Sequence, residues 1–394
     1  MNCNDGKKIF SLDGRKQMRE AIIGTWGLGV NALSIVRALG RMGVPVHLIG
    51  PNLTRNLASR SKYCTTATEL DPANSDEFAR LVKKTADACN VRPILYADND
   101  MVLQYLLNEP HLEQCVRLTS PLAQTRRLLD KKNQIDAAAE AGLPVPESWF
   151  PETWEDVAAI QSKTKKRLIA KKRFPIEGGR DKFKVLSADD AVSLTAQLRK
   201  NPLKPSELFV QEYISGLDTD VHFALCYRAV QRVQAAIVTG RKLIQSGSGD
   251  GGIMILGKAV HNPEVYDLSL KFMHSLACEG YFGVEFKYCR QERKYIFIEV
   301  NVRPERCNAL ARAAGIDLDV ISYLDMDGQR DQLQMVGLRP KPAIWLDGKK
   351  ILETLRRRRK WHDFRRLLGV LTQKKEWAVY AHDDLRPFLQ SFRF

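Results

Sequence analysis

The sequence predicts an α/β protein with a parallel-sheet N-terminal domain and a larger following body built from strand-length runs and short turns. Three observations carry this. Residues 20 to 50 read strand (EAIIG), glycine turn (TWGLG), helix (VNALSIVRALGRMG) and strand (VPVHLIG), a βαβ unit suited to a right-handed crossover between parallel neighbours. The same alternation continues to about residue 120. Beyond it the style changes, and GVEFKYC, RQERK and KYIFIEV read as a hairpin: two apolar strands around a polar turn.

In chain order, the turn Gly24-Thr25-Trp26-Gly27-Leu28-Gly29 invites comparison with a dinucleotide site. Its glycines are irregularly spaced, and the next strand ends in Ile49-Gly50-Pro51 where such a site wants an acid for the ribose. A tight turn with close helix packing is the preferred reading. A helix over 75 to 90, the strand RPILYA and a helix beginning after Asp98-Asn99-Asp100 follow. Asp98 and Asp100 are of metal-ligand type, but acids between a strand and a helix more often serve as N-caps. SPLAQTRRLLDKKNQIDAAAEAG reads helical to Gly142, and LPVP then forces an extended exit. RLIAKK, FKVL, ELFVQEYI and VHFALCYRAVQRVQAAIV are strand-length apolar runs, and EVYDLSLKFMHSLACEG is the helix before the hairpin. Boundaries fall near 120 and 330.

The 394 residues allow two or three domains. The N-terminal stretch is polar and charged, unlike a secretory signal, and no run approaches the roughly 18 apolar residues of a membrane span. The eight cysteines are scattered, with no CxxC pair and no His partner at metal-ligand spacing. Neither a zinc site nor a disulfide framework is signalled, and a reducing cytoplasm is the expected location. The net charge is +15, and from Asp331 onward fifteen Lys or Arg stand against seven Asp or Glu, densest in Arg356 to Lys360. Such a run is either a solvated helix face, the simpler reading, or a patch for an anionic substrate, carrier or nucleic acid. Trp345 and Trp361 are the nearby stacking partners.

Chemistry concentrates in the hairpin. In FIEVNVRPER, Glu299, Asn301 and Arg303 occupy alternate positions and therefore share a face, about 7 Å from one to the next. Glu285 on the preceding strand lies across from Glu299 if the two pair antiparallel. Two carboxylates and an amide oxygen without a buried arginine opposite repel one another unless a cation sits between them, and such hard donors suit magnesium. A solvated polar row is the alternative. Phosphate-handling groups occur in the same region: Lys171 at the end of LIAKK, Gly178 and Gly179 in the following loop, Lys131 at a helix start, and Arg241 with Lys242 in a loop that includes the Gly249 to Gly252 cluster.

The ordered series "DK…AGLPVP", "IAKK…GG", "VQEYISGLD" and "VEF…FIEVNVRPE…AGID" resembles the ATP-grasp superfamily of ATP-dependent carboxylate ligases, over roughly Pro121 to Leu318. Its flavour is that of carboxylate–amine ligases such as peptidoglycan aspartate ligases, whose tail "DDPLPAL" is echoed by Asp383-Asp384-Leu385-Arg386-Pro387-Phe388-Leu389. The resemblance implies a preceding α/β domain (1–120), a two-lobed core clasping ATP (121–330, with lobes of about 121–210 and 211–330) and a basic extension (331–394) packed on that core. It implies that Lys131 and Lys171 contact phosphates, that Gly178 and Gly179 close over them, and that Gln211, Glu212, Tyr213 and Ile214 form the adenine hinge. Asp218 takes the place of a ribose-binding acid, usually Glu. Glu285, Glu299 and Asn301 match the Mg2+ ligands, with Mn2+ as a substitute, and Arg303 matches an arginine that faces the transferred phosphoryl and the acyl phosphate; Arg241 and Lys242 of the second candidate cradle are expected to act catalytically beside it.

The implied function is ligation: a carboxylic acid, an amino acid or short peptide, is activated as an acyl phosphate and joined to an amine, releasing ADP and phosphate. A thiol acceptor, a reaction stopping at phosphoryl transfer, and an anionic-polymer-binding module are the alternatives. Relatives of this kind often form homodimers. Pro304-Glu305-Arg306-Cys307-Asn308 replace the usual small, glycine-containing stretch and are expected to line the acceptor end, with Cys307 as wall and not as nucleophile.

Overall fold

The computed structural model describes residues 18–71, 75–174, 186–200, 203–229, 235–246, 252–330, 339–358, 361–370 and 372–393. Strands β1 (Ala21–Gly24), β2 (Val46–Gly50), β3 (Thr66–Glu69), β4 (Ile94–Ala97) and β5 (Arg117–Leu118) form an all-parallel sheet in the order β3-β2-β1-β4-β5. Helices α1 (Val30–Arg41), α2 (Ser75–Ala88) and α3 (Asp100–Asn108) connect its strands. All four residues of β1 are buried, as expected of a sheet covered on both faces. The glycine turn is tight: Gly27 and Gly29 take φ of 73° and 64°, and a Cβ on Gly29 would lie 2.2 Å from the Asn56 Oδ1.

The capping expectation for Asp98 and Asp100 is corrected. Asn99 caps α3, accepting from the Val102 N–H at 3.1 Å. Asp98 is instead a buried hub that accepts from the Thr25 hydroxyl (2.7 Å) and the Trp26 N–H (3.2 Å), and Asp100 reaches across the cleft described below.

The stretch read as one helix to Gly142 is two, α4 (Leu122–Leu129) and α5 (Lys131–Glu140). Asp130 breaks it because its backbone is extended while its carboxylate caps α5 at the Lys132 N–H (2.8 Å) and takes a two-pronged bond from Arg173, both arms at 3.0 Å. Lys131 consequently opens α5. Next comes a second, antiparallel sheet of β6 (Ser148–Trp149), β7 (Leu168–Lys172), β8 (Leu186–Ala188) and β9 (Leu208–Glu212), ordered β6-β9-β7-β8, with a small core of its own around Val157, Leu168 and Val210. Gly178 and Gly179 lie outside the described residues.

The third sheet has seven strands: β10 (Val221–Arg228), β11 (Ala235–Gln245), β12 (Met254–Ala259), β13 (Gly280–Cys289), β14 (Lys294–Asn301), β15 (Ala343–Leu346) and β16 (Lys375–Trp377), ordered β14-β13-β10-β11-β12-β15-β16. Arg241 and Lys242, expected in a loop, are strand residues of β11, so their side chains point to opposite faces. The basic extension contributes two strands of its own to this sheet. Its tail returns to the N-terminal domain, where Asp384 pairs with Arg37 of α1 at 2.9 Å and Asp383 pairs with Arg41. One apolar core runs from α1 and β1 into β10 and the helix Leu318–Asp327, joining the first and third sheets. Among the described residues, no helix is long and apolar enough to cross a membrane.

Candidate active site

Strands β13 and β14 pair in the expected register, with Glu285 opposite Glu299 and Gly283 opposite Asn301, and an irregularity follows Glu285. The repulsion between the two acids is met in a way the sequence did not suggest. Lys242 of β11 reaches Glu285 at 2.7 Å and Lys131 of α5 reaches Glu299 at 3.1 Å. Lys131, with help from Lys171 and Lys242, holds the Glu299 carboxyl well below the usual carboxylate range even though burial works the other way. Burial opposes the charged form of Lys242, but Glu285 outweighs it and raises that pKa. Asn301 donates its amide nitrogen to Glu305 at 2.7 Å, so its carbonyl oxygen is not used in that bond.

These groups stand where two cavities meet. The smaller, about 200 Å³, lies between the second and third sheets, with Ile169, Leu217 and Ile298 as apolar walls. It collects Lys171, Gln211, Glu212, Tyr213, Ile214 and Asp218. Lys171 donates to Gln211 Oε1 at 3.1 Å, and burial brings its ammonium down to about 8, partly offset by Glu299. The Glu212 carboxylate is taken by Lys166 (2.6 Å) and Thr164 (3.1 Å). Asp218 accepts from the backbone and side-chain N–H groups of Gln245 at 3.0 and 3.2 Å.

The larger cavity, about 560 Å³, shares Lys242, Glu285 and Glu299 with the first and extends to Asn31 and Asp100 of the N-terminal domain. Arg303 projects into it, held by Asp100 at 2.6 Å and Glu305 at 3.6 Å. Burial alone would weaken the guanidinium charge; Asp100 and Glu305 outweigh it. Glu305 itself is pushed up by burial, only partly countered by Arg303. Arg306 and Cys307 also line this cavity, Arg306 paired with Asp347. Burial pushes the Cys307 thiol up, and among the described residues no histidine lines the cavity, so Cys307 stands as a wall residue. Asn308, expected beside them, instead turns into the core and donates to Asp319 at 2.6 Å.

The fold therefore gathers Lys131, Lys171, Gln211, Glu212, Tyr213, Ile214, Asp218, Lys242, Glu285, Glu299, Asn301 and Arg303 around two joined cavities. Arg241 does not join them: it lines neither cavity and pairs directly with His222 of β10, on the other face of the sheet from Lys242. Two contributors were not read from the sequence. Lys287 lines the smaller cavity and lies 5.0 Å from the centre of the Tyr213 ring; its position two residues after Glu285, on the same strand face, was the available signal. Asp100 meets Arg303 across 203 positions of chain, and no local pattern announces such a pairing.

Neither a protein-family model nor a curated protein matches the sequence. Solved structures do share its fold. An N5-carboxyaminoimidazole ribonucleotide synthetase in complex with ADP matches with a TM-score of 0.65 at 13% identity, over 83% of this chain and 80% of its own. The carboxyaminoimidazole ribonucleotide synthase of Aspergillus clavatus, complexed with ATP, gives 0.63 at 15% identity, over 83% and 81%. The biotin carboxylase domain of the Hydrogenobacter thermophilus 2-oxoglutarate carboxylase, a dimer with MgADP and bicarbonate, gives 0.66 at 13% identity, over 82% and 73%. At these identities the likeness is one of fold, and it is the ATP-grasp fold implied by the sequence resemblance. It does not single out the aspartate ligase type.

Proposed function

We propose that the protein is an ATP-dependent, ADP-forming ligase that activates a carboxylic acid as an acyl phosphate and transfers the acyl group to an amine. The observation that carries this reading is the placement of Glu285 and Glu299, with their lysines, at the junction of two cavities of different character. The smaller has apolar walls for a base, a hinge at Gln211 to Ile214 where β9 ends, and an acid, Asp218, for ribose hydroxyls. The larger holds Arg303 and Arg306, cations that suit an acceptor carboxylate. The ADP, ATP and MgADP complexes of the solved counterparts support the same assignment.

The donor set fits magnesium: two carboxylates and an amide carbonyl whose nitrogen is already engaged are hard oxygen ligands. Glu285, Glu299 and Asn301 would hold Mg2+, which would neutralise phosphate charge there. The chain's own residues do the rest. Lys131 and Lys171 position the phosphates and Lys242 fixes Glu285, while Arg303, clamped by Asp100 and Glu305, faces the phosphoryl group in transfer. A carboxylate oxygen of the acceptor attacks the γ-phosphorus as the bond to the β-phosphate oxygen breaks and ADP leaves. The amine then attacks the acyl carbon, loses a proton, and expels phosphate.

The test is nucleotide turnover with pooled carboxylic acids and amines. ADP release that depends on an acid and on Mg2+ is expected; AMP release would overturn the assignment.

A further inference from the structure

Away from the cleft, one group of three metal-capable side chains stands among the described residues: Glu20, His47 and Cys89, whose donor atoms all lie within 4.8 Å of one another. No histidine lies at ligand spacing from a cysteine in the sequence, and the parallel sheet closes that gap. Glu20 immediately precedes β1, His47 is the second residue of β2, and Cys89 follows the last residue of α2. The register of Ala21 with Val46 sets Glu20 beside the start of β2, and the C-terminus of α2 comes down at the same end. This is the amino end of the sheet. The glycine turn and α3, which face the cleft, sit at the carboxyl ends of β1 and β4, so the group belongs to neither cavity.

The ring of His47 is fixed from both sides, with Nε2 2.6 Å from Glu20 Oε2 and Nδ1 2.8 Å from Thr66 Oγ1. The 2.6 Å contact is a hydrogen bond from Nε2–H to Glu20; when the proton sits on Nδ1 and donates to Thr66 instead, the Nε2 lone pair and the Glu20 carboxylate are both available to an ion that draws them apart. A ligating histidine is commonly oriented in this way, with its second nitrogen donating to an oxygen. The side chains of His47 and Glu20 are 13% and 25% exposed, enough for an ion to enter. The Cys89 Sγ donates to the Thr85 carbonyl at 3.2 Å; burial and the neighbouring Glu20 push its thiol up to about 11, so it supplies the third donor only when a bound ion displaces its proton.

We propose that Glu20, His47 and Cys89 form a zinc-class metal site that fastens the end of α2 to the amino end of the parallel sheet. One imidazole, one thiolate and one carboxylate are a borderline-soft set that favours zinc over magnesium or calcium, and their two negative charges balance a divalent ion. Ligand atoms about 2.0–2.3 Å from a tetrahedral zinc stand roughly 3.3–3.5 Å from one another, so Glu20 turns off His47 Nε2 to bind while all three donors stay within the observed envelope, and three protein ligands leave the fourth position to water. The metal needed for phosphoryl chemistry sits elsewhere on oxygen ligands, so the two sites take different ions.

The experiment uses the full-length, tag-free protein, stripped with chelator and titrated with Co2+, followed by displacement with Zn2+. A thiolate-to-cobalt charge-transfer band saturating at one equivalent, bleached by zinc and untouched by magnesium, is expected, with a zinc-dependent rise in Tm. Cys89→Ser should abolish the band and His47→Gln should weaken zinc binding at least about 100-fold. Thr66→Val, which removes only the orienting partner, should weaken it about 10- to 100-fold. Each variant should keep its far-UV circular dichroism and its MgATP binding, which separates loss of the site from loss of the fold. No band, or a band that survives Cys89→Ser, would overturn the proposal.

Discussion

Glu285 and Glu299 face each other directly across the β13–β14 ladder, and each carboxylate holds a lysine delivered by a different part of the fold, Lys242 from β11 and Lys131 from the first turn of α5. Two acids side by side on one sheet face are tolerated because two ammonium groups approach from outside the hairpin. Lys242, Glu285 and Glu299 line both cavities and Lys131 the larger, where in the proposed reaction a phosphoryl group would move from nucleotide to acceptor. Several consequences of this arrangement are measurable.

Glu299→Gln keeps the shape of the side chain, removes the carboxylate charge of a proposed Mg2+ ligand and leaves Lys131 without its ionic partner at 3.1 Å. ADP formation should fall about 100-fold or more at saturating magnesium, while thermal stability changes little, because the side chain is one-third exposed to the cavity. Initial rates at several magnesium concentrations check this; turnover at the wild-type level would count heavily against the site.

Lys171 carries a pH dependence with a definite sign. Burial lowers its ammonium to about 8 from an unfolded value of about 10.4, so the cation a phosphate needs is present below that pH and lost above it. The free-enzyme profile, kcat/KM for ATP, should therefore decline as pH rises through about 8, and Lys171→Arg should remove that limb. Stability moves oppositely: between about 8 and 10.4 the unfolded chain binds more protons, so this group's contribution rises with pH.

Asp100→Asn weakens the clamp on Arg303 without touching the smaller cavity. We expect a fall in kcat of about 10- to 100-fold and an unchanged Kd for ATP, because a misplaced guanidinium costs orientation at the phosphoryl group and not nucleotide binding. Arg303→Lys should not substitute, since a point charge lacks the planar fork that Asp100 and Glu305 hold.

The tail is fastened by a buried ion pair. The side chains of Arg37 and Asp384 are 4% and 1% exposed, and Asp384 also accepts from the Ser61 hydroxyl and the Lys62 N–H. Asp384→Ala should destabilise the protein by about 3–5 kcal/mol by stranding the arginine, read as a lower urea midpoint, whereas Arg37→Met with Asp384→Leu should recover most of the loss.

Much of the site was legible in the sequence because strand alternation is strict. Glu299, Asn301 and Arg303 share a face by period alone, and Glu285 joins them through a hairpin whose turn is visible. Local breaks were harder: Asp130 splits a helix because its side chain finds Arg173, and periodicity cannot see that partner. Long-range pairs were invisible for the same reason. Asp100 with Arg303, Arg37 with Asp384 and the meeting of Glu20, His47 and Cys89 each depend on how sheets stack, not on spacing along the chain. Arg241 shows the converse error, since a residue one position from a site residue in a strand belongs to the opposite face.

The most direct measurement is a hydroxylamine trap. Protein, ATP, Mg2+ and pools of amino acids and other carboxylic acids are incubated with hydroxylamine in place of the unknown amine, and hydroxamate and nucleotide products are quantified together. Hydroxamate formed in equal amount to ADP, dependent on one acid and lost in Glu299→Gln, is the expected result and names the acid. Hydroxamate accompanied by AMP and pyrophosphate would mean an acyl adenylate, and would contradict an acyl phosphate made at Glu285 and Glu299.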